Sequence, residues 1–177
     1  MTGAEKRNIV LCGFMGTGKS SVGKRLAARL NYRFLDMDEL IEKETGLTIP
    51  QIFSSQGEPA FRALECRMVE RVAELTGYVV ATGGGAIVNP QNLQTLKRCG
   101  VVISLTADTK TVLARTGKGD TRPLLQGSDR VERIRQLMKQ REPFYAQADF
   151  IVDTSKLRIK QVVQAIVDRL QAFGFTP

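Results

Sequence analysis

Gly13-Phe14-Met15-Gly16-Thr17-Gly18-Lys19-Ser20 fills every fixed position of G-x-x-x-x-G-K-[ST], the loop that wraps nucleotide phosphates. Asn8-Ile9-Val10-Leu11-Cys12 before it reads as a buried strand. Residues 20–30 after it read as a helix, with Val22, Leu26 and Leu30 spaced by four. In that order the turn aims its N–H groups at an anion, and the helix N-terminus adds its partial positive charge. Lys19 then reaches the β- and γ-phosphates and the Ser20 hydroxyl binds Mg²⁺. Gly16, Thr17, Gly18 and Ser21 complete the expected nucleotide contacts. A plain glycine-rich turn is the weaker reading, because every motif position is filled and the flanking elements are correct. The segment predicts a bound nucleoside triphosphate but leaves the fate of its γ-phosphate open.

Working outward, 177 residues with 42% hydrophobic and 25% charged content fit one globular domain, 1–177, with a real core. Met1 to Arg7 is too short a lead for a signal peptide, and no apolar run is long enough to span a membrane. Cys12, Cys66 and Cys99 lack metal-ligand spacing and His is absent. That pattern predicts reduced thiols, a cytoplasmic location and no zinc site. Without His, any general base is expected to be a carboxylate. The net charge of +8 raises the question of nucleic acid. The basic residues are spread out, however, Trp is absent and aromatics are 6%, so no stacking surface is evident. ATP with a small anionic substrate uses the same positive field. Small-molecule partners are therefore expected, with no nucleic acid and no membrane.

Strand-like and amphipathic helical runs alternate, which predicts an α/β fold with a parallel sheet and right-handed crossovers. Strands are expected at 32–36, 78–81, 101–105 and 150–153, beside the first. Helices are expected at 38–45, 49–55, 58–75, 90–98, 109–116, 129–145 and 159–173. The long helix carries Phe61, Leu64, Met68, Val72 and Leu75 as one apolar stripe. Residues 117–127 break all periodicity, with glycines near both ends and Arg122 in the middle. That segment reads as a mobile lid bringing Arg122 onto the transferring phosphoryl group; an incidental loop arginine is the alternative.

Asp36 and Asp38 fall at the C-terminal end of the second strand, the edge where open parallel sheets bind ligands. One could hold Mg²⁺ and the other a substrate hydroxyl; a helix N-cap beside a solvated acid is the plain alternative. Arg62 and Glu65, three apart on a helix, fit a surface ion pair at least as well as a site. Arg141 shares a mostly apolar face with Ile134, Met138 and Tyr145, so its charge needs a partner. Glu142, Asp149 and a substrate carboxylate are all open. Gly83-Gly84-Gly85 after Thr82 would let a polar substrate approach the backbone closely.

Taken in order, these segments resemble the shikimate kinases over nearly the whole chain. The resemblance rests on Gly13 to Ser20, Asp36 and Asp38, Phe61-Arg62-Ala63-Leu64-Glu65, Gly83 to Gly85, Arg122-Pro123-Leu124-Leu125, and Arg141-Glu142-Pro143-Phe144-Tyr145. It implies a three-layer, nucleoside monophosphate kinase-like fold with an open five-stranded sheet in order 2-3-1-4-5. It implies a substrate-binding segment at about 37–66 and a lid at about 117–128. The implied reaction moves the γ-phosphoryl group of ATP to the 3-hydroxyl of shikimate, in aromatic amino-acid biosynthesis. Lys19, Asp38 and Arg122 are the implied catalytic residues, and Asp36 with Ser20 holds Mg²⁺. Arg62 and Arg141 clamp the shikimate carboxylate, Glu65 orders Arg62, and Gly83 to Gly85 add backbone contacts. Arg115, in Ala-Arg-Thr-Gly, matches an arginine that stacks on adenine. A monomer is also implied. The third strand ends in Ala81-Thr82 without the usual acidic residue of phosphate-loop enzymes, as the family does. Gluconate, which also has a carboxylate and hydroxyls, is the nearest rival acceptor. No guanine-reading Asn-Lys-x-Asp is present to favour a GTPase.

Overall fold

The computed structural model describes residues 6–117 and 129–175. Strand β1, Asn8–Gly13, runs straight into the phosphate loop, and α1, Lys19–Leu30, follows it. Then come β2 (Arg33–Asp36), α2 (Met37–Thr45), α3 (Ile49–Ala73), β3 (Tyr78–Ala81), α4 (Pro90–Cys99), β4 (Gly100–Thr106), α5 (Thr109–Thr116), α6 (Arg130–Tyr145), β5 (Phe150–Asp153) and α7 (Ile159–Ala172). All strand pairs are parallel, in the order β2-β3-β1-β4-β5. The expected sheet and its order are both present.

The two-residue alternation of a strand explains the layers. Val10 and Cys12 of β1, Val80 of β3 and Val102 of β4 pack under α2, α3, α4 and α6. Ile9 and Leu11, Val79, and Val101, Ile103 and Leu105 pack under α1 and α7 on the opposite face. Both faces are covered, so β1 is buried at every position and reads as a continuous apolar run rather than an alternating one.

Caps account for most helix starts. Asp108 accepts from Thr111 N, Asp129 from Glu132 N, and Thr48 with Gln51 forms a reciprocal capping box. The helical pieces expected at 49–55 and 58–75 meet end to end as α3. Gly57 marks the break between them, with φ 82° and ψ 169°, and Pro59 follows. A 3₁₀ turn at Ala86–Val88 after the glycine triplet carries no periodic signal and is not visible in the sequence. None of the described helices is long and apolar enough to cross a membrane. The expected lid core, with Arg122, lies outside the described residues.

Candidate active site

The phosphate loop is shaped by backbone geometry that only some residues tolerate. Gly13 has φ 137°, and a side chain there would run into the Leu105 carbonyl of the neighbouring strand. The Thr17 hydroxyl donates to the Phe14 carbonyl at 2.7 Å and closes the loop on itself. The Lys19 ammonium spans the loop, donating to the carbonyls of Gly13 at 2.9 Å and Phe14 at 3.0 Å. Gly18 is the N-cap of α1 in a left-handed conformation, so no side chain blocks the positive end of the helix.

Asp36 joins this loop to the second strand. Its Oδ2 accepts from the Ser20 hydroxyl at 2.6 Å, and its Oδ1 accepts from Asp38 N at 3.1 Å. Asp36 is therefore the N-cap of α2 as well as the neighbour of the phosphate-loop hydroxyl. The cap and ligand readings of this acid are compatible rather than exclusive. The cap belongs to Asp36, while Asp38 lies in the first turn and lines the cleft beside it.

The glycine triplet is small because three side chains press on it. A Cβ on Gly83 would lie 2.5 Å from Glu65 Oε1 and 2.9 Å from Asp38 Oδ1. On Gly85 it would overlap the Arg62 guanidinium. Close approach, rather than an unusual φ, requires glycine here. Gly83→Ala is thus expected to displace both carboxylates. Acceptor kcat/KM should fall at least about thirtyfold while ATP affinity stays within about threefold, on the cost of a misplaced reacting geometry. Steady-state kinetics beside a nucleotide titration checks this.

Arg62 and Glu65 do form an ion pair, but not on the surface: Glu65 is only 2% exposed. Arg62 also donates Nε at 3.1 Å and Nη2 at 2.8 Å to Glu58 Oε1. Burial pushes the Glu65 carboxyl above its usual range, and nearby Asp38 pushes the same way, while Arg62 and Arg141 oppose it. A carboxyl with a raised folded-state pKa favours folding fully below its ordinary value of 4.5. That contribution is lost as pH rises through the raised value. Glu65→Gln should therefore gain stability relative to the parent as pH climbs from about 4.5. Urea midpoints measured across that window check the sign.

Arg141, on α6, is buried, with its Cζ 5.9 Å from the Phe14 ring of the phosphate loop. Asp149, one of the partners open to it from sequence, is engaged elsewhere. It accepts from Val102 N at 2.7 Å and pairs with Lys97 at 3.4 Å.

Two clefts result. One of about 350 Å³ collects Asp36, Asp38, Arg62, Glu65, Gly83 to Gly85 and Arg141, together with Lys19 and Ser20. The other, about 370 Å³, runs along Gly16 to Val22 to Arg115, Thr154 and Leu157. They share Lys19 and Ser20. Arg115 is held there by Thr154, through its hydroxyl at 2.9 Å and its carbonyl at 2.8 Å, and by the Gly16 carbonyl at 3.3 Å. One cleft gathers cations and carboxylates beside the phosphate loop; the other is a groove that ends in the same loop.

The shikimate kinase family model matches residues 15–171. The chain belongs to the shikimate kinase family. A shikimate kinase of Thermoanaerobacter pseudethanolicus is 44% identical over 161 residues, 91% of this chain and 94% of that protein. One from Geobacter metallireducens is 46% identical over 165 residues, 93% of this chain and 92% of the relative. The shikimate kinase from Acinetobacter baumannii in complex with shikimate superposes with a TM-score of 0.92 at 37% identity, covering 97% and 96% of the two chains. Thymidylate kinase from Candida albicans shares the fold alone, with a TM-score of 0.60 at 16% identity over 98% of this chain and 94% of its own.

Within this shikimate kinase fold, sequence reasoning missed the apolar wall of the cleft that holds Asp38 and Arg141. Ile49, Pro50, Phe53 and Phe61 form it, with the Phe53 and Phe61 rings 4.9 Å apart. Phe61 was legible as part of a core stripe and of the Phe-Arg-x-x-Glu segment, but not as a wall of this cleft. The signal that could have exposed the wall is Gly57, whose break turns the first part of α3 against the second.

Proposed function

We propose that the chain transfers the γ-phosphoryl group of ATP to the 3-hydroxyl of shikimate, giving shikimate 3-phosphate and ADP. The observation that carries this reading is the single cleft in which Arg62, Arg141 and Asp38 face the same space as Lys19 and Ser20. A guanidinium has five N–H donors, and three of those on Arg62 serve Glu58 and Glu65. The remainder, with Arg141, would grip the acceptor carboxylate at one end of the ring. Asp38 would accept the hydrogen bond of the reacting hydroxyl at the other end. Gly83 to Gly85 would let the ring lie against backbone.

On the donor side, Arg115 would stack on the adenine, and Gly16 to Ser21 would wrap the phosphates with backbone N–H groups and the Ser20 and Ser21 hydroxyls. Lys19 would turn from the loop carbonyls to the β- and γ-phosphates. Ser20 and Asp36 fit Mg²⁺, which takes one or two carboxylates and completes its shell with phosphate and water oxygens. When bound, the ion supplies charge neutralisation at the phosphates. Arg122 would add a cation at the transferring group. In phosphoryl transfer the protein mainly positions groups and offsets charge, so Asp38 can act by orientation as well as by proton acceptance. The same reading takes the protein as a cytoplasmic monomer with small-molecule partners rather than nucleic acid.

An ADP-coupled assay across shikimate, gluconate and nucleoside monophosphates tests the assignment. Turnover with shikimate is expected to exceed the others by at least about a hundredfold in kcat/KM, because a site built to pair polar groups rejects analogues that leave them unpaired. Turnover only with another acceptor overturns it.

A further inference from the structure

Tyr145 has no part in the roles assigned so far, yet it touches the glycine triplet and lies beside Arg141. It closes α6, one turn after Arg141, and is buried. Its hydroxyl donates to the Gly84 carbonyl at 2.5 Å, across 61 residues of sequence. Burial pushes the phenol up to about 12, with Arg141 beside it pulling the other way, so it remains a donor throughout the neutral range. The peptide following Gly84 is trans, so the Gly85 N–H points opposite to the carbonyl that Tyr145 holds. Gly85 lines the acceptor cleft. A Cβ on Gly84 would meet Arg141 Nη1 at 3.4 Å, the Gly13 carbonyl at 3.7 Å and Met15 N at 3.8 Å. Gly84 is thus wedged between the Arg141 guanidinium and the phosphate loop. Phe14 of that loop borders the same cavity as Tyr145.

We propose that Tyr145 is a positioning residue: its phenol fixes the 84–85 peptide and Arg141 relative to the phosphate loop, and so sets the acceptor's distance from the γ-phosphate. This rests on the acceptor reading above. The glycines have no side chains of their own to anchor them, and Gly84 gains its outside anchor from α6.

Tyr145→Phe keeps the ring and removes the donor. Shikimate kcat/KM should fall about tenfold, the effect of one buried hydrogen bond together with a displaced near-attack geometry. The ATP dissociation constant, read without acceptor, should stay within about twofold of the parent. A purely structural role would shift both together, or lower the melting temperature and leave the kinetic constants alone; either result overturns the proposal. So does an unchanged shikimate kcat/KM. Incorporation of 3-fluorotyrosine at position 145, which keeps the hydroxyl, should retain kcat/KM within about twofold, since the donor is preserved. Backbone amide resonances of Gly84 and Gly85, recorded without ligand, separate the two claims. They shift in Tyr145→Phe if the phenol holds that peptide, even if the parent turns over a different acceptor. Unmoved resonances reject the proposal on their own.

Discussion

Lys19→Met is expected to lower kcat by at least about a thousandfold, the scale of losing a preorganised cation at a transferring phosphoryl group. Among the described residues, Lys19 is the side chain that bonds both the Gly13 and Phe14 carbonyls and also lines both clefts. Methionine keeps the length and apolar stem but leaves those two carbonyls facing a polyanion. The loop itself should persist, because Gly13 and Gly18 set its turns and the Thr17 hydroxyl closes it. The melting temperature should therefore move little while turnover is lost. A coupled assay with a thermal scan on the same sample checks both. A kcat within about tenfold of the parent would remove Lys19 from the centre of the mechanism.

Arg141→Ala has the largest expected effect on the acceptor side. A buried guanidinium on an otherwise apolar helix face is costly unless a charge answers it. Deleting it should raise the shikimate KM by about a hundredfold or more, the range for one partner of a desolvated, charge-assisted pair. ATP affinity should stay within about threefold, because the nucleotide cleft is lined by other residues. The same deletion removes one of the cations that oppose the rise in the Glu65 carboxyl. Activity that depends on the Arg62–Glu65 ion pair should consequently be lost at a higher pH on the acid side than in the parent. Substrate titrations at several pH values read both effects. An unchanged shikimate KM would contradict the clamp.

What was legible in the sequence follows the range of each interaction. The phosphate loop is a local motif, and the strand and helix flanking it are set by residues within a few turns of it. The parallel α/β class follows from strands alternating with helices, whereas the order 2-3-1-4-5 was legible only through the family resemblance, because its pairings join strands far apart in the chain. Asp36 shows the same limit: its cap on α2 is local, but its contact with Ser20 is made only once α1 and β2 lie side by side. Arg62 and Glu65 at spacing three could not be told from a surface pair, since burial of Glu65 depends on the glycine triplet packing over it. Tyr145 and Gly84, far apart in sequence, carry no mutual signal at all. The wall made by Ile49, Pro50 and Phe53 depends on the break at Gly57, and hydrophobic periodicity describes each half of α3 without describing their angle.

Two clefts meeting at Lys19 and Ser20 would pass a phosphoryl group to one hydroxyl of a small carboxylated ring. Phosphorus and proton NMR of the product formed from ATP and shikimate tests this transfer most directly. One new phosphate monoester is expected, coupled to the proton on carbon 3 and formed in equal amount with ADP. ADP released with inorganic phosphate and no ester, or an ester on a different hydroxyl, would contradict it.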